Sequence, residues 1–227
     1  MRSEMGLPLT SQSLSDQAAL GSGLSSSELQ RLSGLARQAA ELGGIELSQR
    51  FGRLEQVREK GRSGDLVTEA DHAAEAVVLD LLQRETPEIG VLAEESGRRQ
   101  APGDLEWCVD PLDGTTNYAH RYPFFGTSIG LTWRGQPLLG ALAVPALQQL
   151  YWAAPGLGAW CNTSRIQVSD CTNLASSLLV TGFAYDRHER LDNNYAEFAW
   201  FTHRSQGVRR GGSVALDLAF VAAGKLD

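Results

Sequence analysis

The stretch Trp107-Cys-Val-Asp110-Pro-Leu-Asp113-Gly-Thr-Thr-Asn117 sends two carboxylates out of a hydrophobic run and follows them at once with small hydroxylated residues. Pro111 fixes its own φ and restricts Asp110, so the chain turns sharply and can aim both carboxylates into one space. Converging carboxylates suit a hard cation such as Mg²⁺, which prefers oxygen ligands and is commonly held together with a substrate phosphate. Gly114 lets backbone approach a ligand closely. If Thr115, Thr116 and Asn117 open a helical turn, their free N–H groups point at an anion. A calcium EF-hand is excluded because its third and fifth positions would be Leu112 and Gly114. A phosphoaspartyl-forming site would need an acid where Pro111 stands. A loop in which Asp110 caps a turn and the threonine hydroxyls satisfy backbone fits the bare pattern equally well.

Two further acidic segments bear on that choice, although each alone fits ordinary structure. Gly64-Asp65-Leu-Val-Thr68-Glu-Ala-Asp71 places acids and a threonine at a helix start, where plain capping explains them. Glu94-Glu95-Ser96-Gly97 follows a short apolar strand and reads as a solvated turn.

The elements that must carry these residues follow from periodicity. Ser25, with Glu28 three residues on, caps a long amphipathic helix through Leu29, Leu32, Leu35, Ala39, Leu42 and Ile45. Thr68 and Asp71 have the form of a capping box that opens a second helix, ended by Pro87. Ile89–Ala93 and Trp107–Val109 read as buried strands delivering Glu94 and Asp110. Thr127–Trp133, Leu138–Val144 and Gln149–Ala153 form an antiparallel meander. Leu178–Thr181 reads as a strand, and Leu191–Thr202 and Ser213–Ala223 as helices. Helices and strands fall in blocks, which favours a layered α+β fold. Residues 1–24 show neither period and are expected to be a flexible tail, so the domain spans residues 25–227.

Composition narrows the partners. The 227 residues are 42% hydrophobic and 21% charged, as in a globular chain, and the net charge of −7 disfavours nucleic acid and anionic lipid as ligands. No apolar stretch is long enough to cross a bilayer, and no basic start precedes an apolar run, so a cytoplasmic protein with no membrane contact is expected. Cys108, Cys161 and Cys171 lack CxxC spacing and fit a reducing compartment. Cys108 reads as a small buried hydrophobe, and His72, His120, His188 and His203 as solvated side chains.

Taken in order, D-L-V-T-x-x-D, E-E-S-G and W-x-V-D-P-L-D-G-T-T-N resemble the inositol monophosphatase family of magnesium-dependent, lithium-sensitive phosphatases. The resemblance continues through Tyr122-Pro-Phe-Phe125, Gly156-x-Gly158-Ala-Trp-Cys-Asn162 and Arg209-Arg-Gly-Gly212-Ser-Val-Ala-Leu-Asp217. It implies an α/β/α/β/α sandwich of the sugar-phosphatase type and a homodimer. It implies metal ligation by Glu94, Asp110, the Leu112 carbonyl and Asp113, with Asp71 as an outer-site acid. Thr115, Asp71 and Glu94 take the catalytic roles, and Asp113, Gly114, Thr115, Gly212 and Ser213 the substrate contacts. Lys60 matches a loop lysine near the metal. The implied reaction is in-line attack of a metal-activated water on a phosphate monoester, most of all inositol monophosphate. Histidinol phosphate, fructose 1,6-bisphosphate and phosphoadenosine nucleotides are the alternative substrates. The family also carries a later substrate-contacting Glu and a W-D-x-A-A-G segment whose Asp holds a second metal. Neither occurs in these 227 residues, so the expected domain is truncated with its C-terminal layer incomplete. An inert interaction protein is the contrasting expectation.

Overall fold

The computed structural model describes residues 11–54, 57–59 and 66–227. In chain order the elements are α1 (Ser11–Ser22), α2 (Ser26–Arg50), β1 (Val57–Glu59), β2 (Leu66–Thr68), α3 (Glu69–Glu85), β3 (Gly90–Ala93), β4 (Gly97–Arg99), β5 (Leu105–Asp113) and α4 (Thr115–Ala119). They continue with β6 (Gly126–Trp133), β7 (Gln136–Val144), β8 (Gln149–Ala154), β9 (Gly158–Cys161), β10 (Ser164–Arg165), β11 (Leu178–Val180), α5 (Tyr195–Thr202), β12 (Gly207–Arg209) and α6 (Val214–Ala222).

One eight-stranded sheet runs in the order β10-β9-β8-β7-β6-β5-β3-β4. Its pairs are antiparallel except β3 with β5. The alternation of side chains along β7 builds two cores at once. Leu139, Ala141 and Ala143 join Leu32, Ala36 and Ala39 of α2 and Val78 and Leu81 of α3 on one face. Leu142 and Val144 meet Leu216 of α6, Tyr151 and Phe220 on the other. Phe220 also shares a cavity with Leu178 of β11 and Arg209 of β12. Thus α6 lies between the large sheet and the small parallel sheet β11–β12, with α5 packed on β12. The layers are those of the expected α/β/α/β/α sandwich. Among the described residues, no helix is long and apolar enough to cross a membrane.

The helix starts follow the capping chemistry read from the sequence. Ser25 accepts a hydrogen bond from the Glu28 N–H. Thr68 and Asp71 form a complete capping box, with the Thr68 side chain accepting at 3.1 Å from the Ala70 N–H and Asp71 accepting at 2.8 Å from the Thr68 N–H. Three expectations change. Residues 11–22 are not a tail but helix α1, because its small face seats on the sheet: Ala18 is buried, and Gly21 lies so close to the Trp133 ring that no Cβ would fit. Residues 1–10 lie outside the described residues. The helix expected from Leu191 begins only at Tyr195, where Asn194 adopts a left-handed conformation before it. Ile45 stays exposed on α2, since the stripe that reaches the core runs through Gly43, Gly44 and Leu47 instead.

Gly43 makes a close approach that reaches the site. A Cβ there would stand 2.6 Å from the side chain of Thr127, whose hydroxyl donates to the Pro111 carbonyl at 2.9 Å. Gly43→Ala is therefore expected to destabilise the fold by about 1–3 kcal/mol through overpacking, despite the better helix propensity of alanine. Urea unfolding of the two proteins checks this, and an unchanged or raised midpoint would refute it.

Candidate active site

Two acids three residues apart on a regular strand face opposite sides of the sheet. Asp110 and Asp113 escape that rule because β5 carries an extra residue between them. Asp110 pairs with Ser128 and Asp113 with Gly126, so β5 advances three residues while β6 advances two. A bulge of this kind restores both carboxylates to one side. Pro111 sits in it at no loss of a ladder bond, since it has no N–H to donate, and its carbonyl is taken by Thr127. Asp110 and Asp113 accordingly line one cavity of about 360 Å³, together with Glu94 from the end of β3.

Gly114 then reverses the chain with φ +97, and a Cβ there would stand 2.9 Å from the Phe124 carbonyl. Helix α4 starts immediately after it, as the hydroxyl-rich segment suggested, and Gly114, Thr115, Thr116 and Asn117 all line the cavity. The amide groups of the first helical turn have no intrahelical acceptor, which suits them to an anion. Asn117 ties this loop to the later part of the chain, donating to the carbonyls of Phe124 at 2.7 Å and Gly211 at 2.9 Å. That bridge brings Gly212 and Ser213 to the cavity wall.

The acids differ in their surroundings. Asp71 is buried and does not line the cavity. One of its oxygens accepts from the Thr68 N–H at 2.8 Å and from the Thr68 hydroxyl at 2.6 Å. The other faces the Thr115 hydroxyl at 3.2 Å. Thr115 can also donate to the Leu112 carbonyl at 3.0 Å, so its single proton has two acceptors and its lone pairs remain for the cavity side. Asp113 is turned toward α6, accepting from the Ser213 hydroxyl at 2.7 Å and from the N–H groups of Val214 and Ala215 at 3.2 and 2.6 Å. Asp110 accepts from the Leu112 N–H at 3.1 Å. Burial, then the charges of Glu94 and Asp113, and a hydrogen bond with Glu94 push its pKa up to about 9. Asp217, also on the cavity wall, is raised to about 6, chiefly by burial.

A carboxyl whose pKa is raised by desolvation and by two neighbouring carboxylates is relieved by a positive charge placed beside it. The donors near it are all oxygens: Glu94, Asp110, Asp113 and the Leu112 carbonyl. That chemistry fits a hard divalent cation. Among the described residues, no three His, Cys, Asp or Glu side chains form a ready cluster for a metal ion. The four acids expected to meet thus divide into three on the cavity wall and Asp71 behind Thr115. Lys60 and Asp65 lie outside the described residues.

Sequence reasoning passed over Glu75. It is buried on α3 and accepts from the N–H groups of Glu95 and Ser96, both at 2.9 Å, so it fixes the turn that presents Glu94. Its signal was an acid inside the apolar stripe between Ala74 and Val78. Arg187, which has no motif around it, and Arg210, which had no role assigned within the Arg209-Arg-Gly-Gly212 motif, also stand on the cavity wall.

Comparison with known proteins decides the family, because residues 28–227 match the model of the inositol monophosphatase family. The chain belongs to that family. Its members are phosphoric monoester hydrolases, and metal dependence is general among them. This inositol monophosphatase family member is 50% identical over 204 residues to the inositol-1-monophosphatase of Synechocystis sp., a match covering 89% of this chain and 71% of that protein. It is 34% identical to a fructose-1,6-bisphosphatase/inositol-1-monophosphatase of Aquifex aeolicus, covering 85% of this chain and 74% of the relative. The structure of the inositol monophosphatase from Anabaena (Nostoc) sp. PCC 7120 superposes with a TM-score of 0.79 at 48% identity, covering 88% of this chain and 73% of that one.

Proposed function

We propose that this protein hydrolyses a phosphate monoester, with inositol monophosphate as the leading substrate and Mg²⁺ as the cation. The observation that carries the reading is the bulge that places Asp110 and Asp113 beside Glu94 and the Gly114–Thr115 turn in one cavity. Glu94, Asp110, the Leu112 carbonyl and Asp113 form the cation's donor set. When bound, Mg²⁺ neutralises phosphate charge and acidifies water at the site. The phosphate rests against the amides of Gly114 and Thr115, with Gly212 and Ser213 along the ester's flank. Thr115 orients the attacking water, accepting its proton while passing its own to Asp71, whose other oxygen is held by Thr68. No enzyme nucleophile is needed, so the water attacks phosphorus directly. The reading extends to lithium sensitivity, a homodimer and a reducing cytosolic setting, the last supported by three unbridged cysteines.

Phosphate release from inositol 1-phosphate, histidinol phosphate, fructose 1,6-bisphosphate and adenosine 3′,5′-bisphosphate, with Mg²⁺ and with chelator, tests the reading. Metal-dependent release from at least one ester is expected, and release from none would overturn it. Thr115→Val keeps the side-chain shape and removes the relay, so kcat is expected to fall about 10²–10⁴-fold with KM little changed. A proportionate rise in KM with kcat intact would assign Thr115 to binding alone.

A further inference from the structure

Helix α3 carries two buried acids four residues apart, Asp71 and Glu75. Side chains at that spacing are neighbours on one helix face, about 5–6 Å apart at Cβ. Between them the helix keeps to small residues: Ala70 and Ala74 pack with Leu112 of β5, Tyr118 of α4 and Phe125. The helix therefore lies close to the turn that leads from β5 into α4. Its two acids reach different arms of the site. Asp71 faces the Thr115 hydroxyl at 3.2 Å. Glu75 reaches the hairpin of β3 and β4, where one carboxylate oxygen accepts from the Glu95 N–H and the other from the Ser96 N–H, each at 2.9 Å.

That hairpin is tight. Ala93 pairs with Gly97, so residues 94–96 form its loop, and Gly97 closes it with φ +80. The Glu94 N–H donates to the Val109 carbonyl at 3.1 Å, one residue before Asp110. Glu94 is thus held by β5 on its own N–H and by α3 on the two residues that follow. Two N–H groups converging on one side chain need two acceptor oxygens, which a carboxylate supplies and an amide does not. Packing alone would favour an apolar residue there, because burying a charge is costly unless its hydrogen bonds repay it.

We infer that Glu75 is a positioning residue: by clamping the turn after Glu94 to the helix that also carries Asp71, it sets Glu94 in register with Thr115 and so governs the affinity of the site for its cation. Glu75 itself does not line the cavity. The inference rests on the phosphatase reading and its donor set, and adds to them a residue that acts through Glu94. Side chains that orient metal ligands in this way change metal affinity by about 10–100-fold when replaced.

The test uses Glu75→Gln, which keeps the side-chain volume and turns one acceptor into a donor. Calorimetric titration is expected to show Mg²⁺ binding to the variant at least about tenfold weaker than to the wild type. The Glu95 and Ser96 amides of the metal-free variant are expected to exchange with solvent about tenfold faster, as for the loss of one hydrogen bond each. At saturating Mg²⁺ the kcat is expected to recover, with the KM for inositol 1-phosphate unchanged. The coupling must also run in reverse, so Mg²⁺ is expected to slow exchange of the same two amides in the wild type, a measurement that needs no variant. Equal Mg²⁺ affinity in the two proteins, even with a lowered melting temperature in the variant, would make Glu75 structural only and overturn the inference. Exchange at Glu95 and Ser96 that ignores bound Mg²⁺ would overturn it as well. Absence of Mg²⁺ binding to the wild type would instead overturn the donor-set reading on which the inference stands.

Discussion

Asp110→Asn is expected to lower kcat/KM by about 10²–10³-fold or more while making the metal-free protein more stable. The two effects have opposite signs because they draw on different states. The wild-type carboxyl is partly buried near Glu94 and Asp113, so ionising it without a cation is unfavourable. An asparagine keeps the oxygen that accepts from the Leu112 N–H and offers an N–H to Glu94, so the local bonds survive without the charge. It donates poorly to a hard cation, however, and activity falls with the metal. In chelator at pH 8 to 9, where the wild-type acid is under most strain, the variant is expected to unfold about 1–2 kcal/mol later. Loss of both activity and stability would show that Asp110 is structural, and retention of activity would remove it from the donor set.

The second large effect is a pH dependence whose sign changes with metal. The Asp110 pKa rises from an ordinary 3.8 to about 9 in the folded, metal-free protein, and Asp217 rises to about 6. Between the unfolded and folded values the native state holds more protons than the unfolded chain, so stability falls as pH rises. That contribution is complete below about pH 4 and is lost on passing pH 9. The metal-free melting temperature is expected to drop by at least about 4–8 °C between pH 5 and 9, at about 2–4 °C per kcal/mol for a domain of this size. In excess Mg²⁺ the trend reverses between pH 5 and 8, because the ligands must be deprotonated to bind. Scanning calorimetry in the two conditions reads the crossing directly. Parallel curves with and without Mg²⁺ would contradict the assignment.

Legibility in the sequence followed the range of the interaction. Capping boxes are local, so Ser25 and Thr68 marked the starts of α2 and α3 correctly. The meander β6–β8 announced itself through alternation and its turns. Helix α1 was hidden because its docking face is alanine and glycine, residues whose value is close approach to Trp133 rather than apolar bulk. The D-P-L-D pattern suggested a sharp turn that aims two acids together. The device is a one-residue bulge within a continuous strand, set by the register of β6, which the local sequence does not contain. The bonds from Asp113 to the start of α6 span about a hundred residues, and the contacts of Glu75 with Glu95 and Ser96 about twenty. No periodicity encodes either of them. Arg187 and Arg210 line the same cavity although they follow different strands, β11 and β12, whose parallel pairing is another long-range arrangement.

Calorimetric titration of Mg²⁺ into the protein, with and without inorganic phosphate, tests the central claim most directly. The account predicts saturable Mg²⁺ binding that tightens when phosphate is present and disappears in Asp110→Asn. Heats indistinguishable between the wild type and that variant, or unaffected by phosphate, would contradict it.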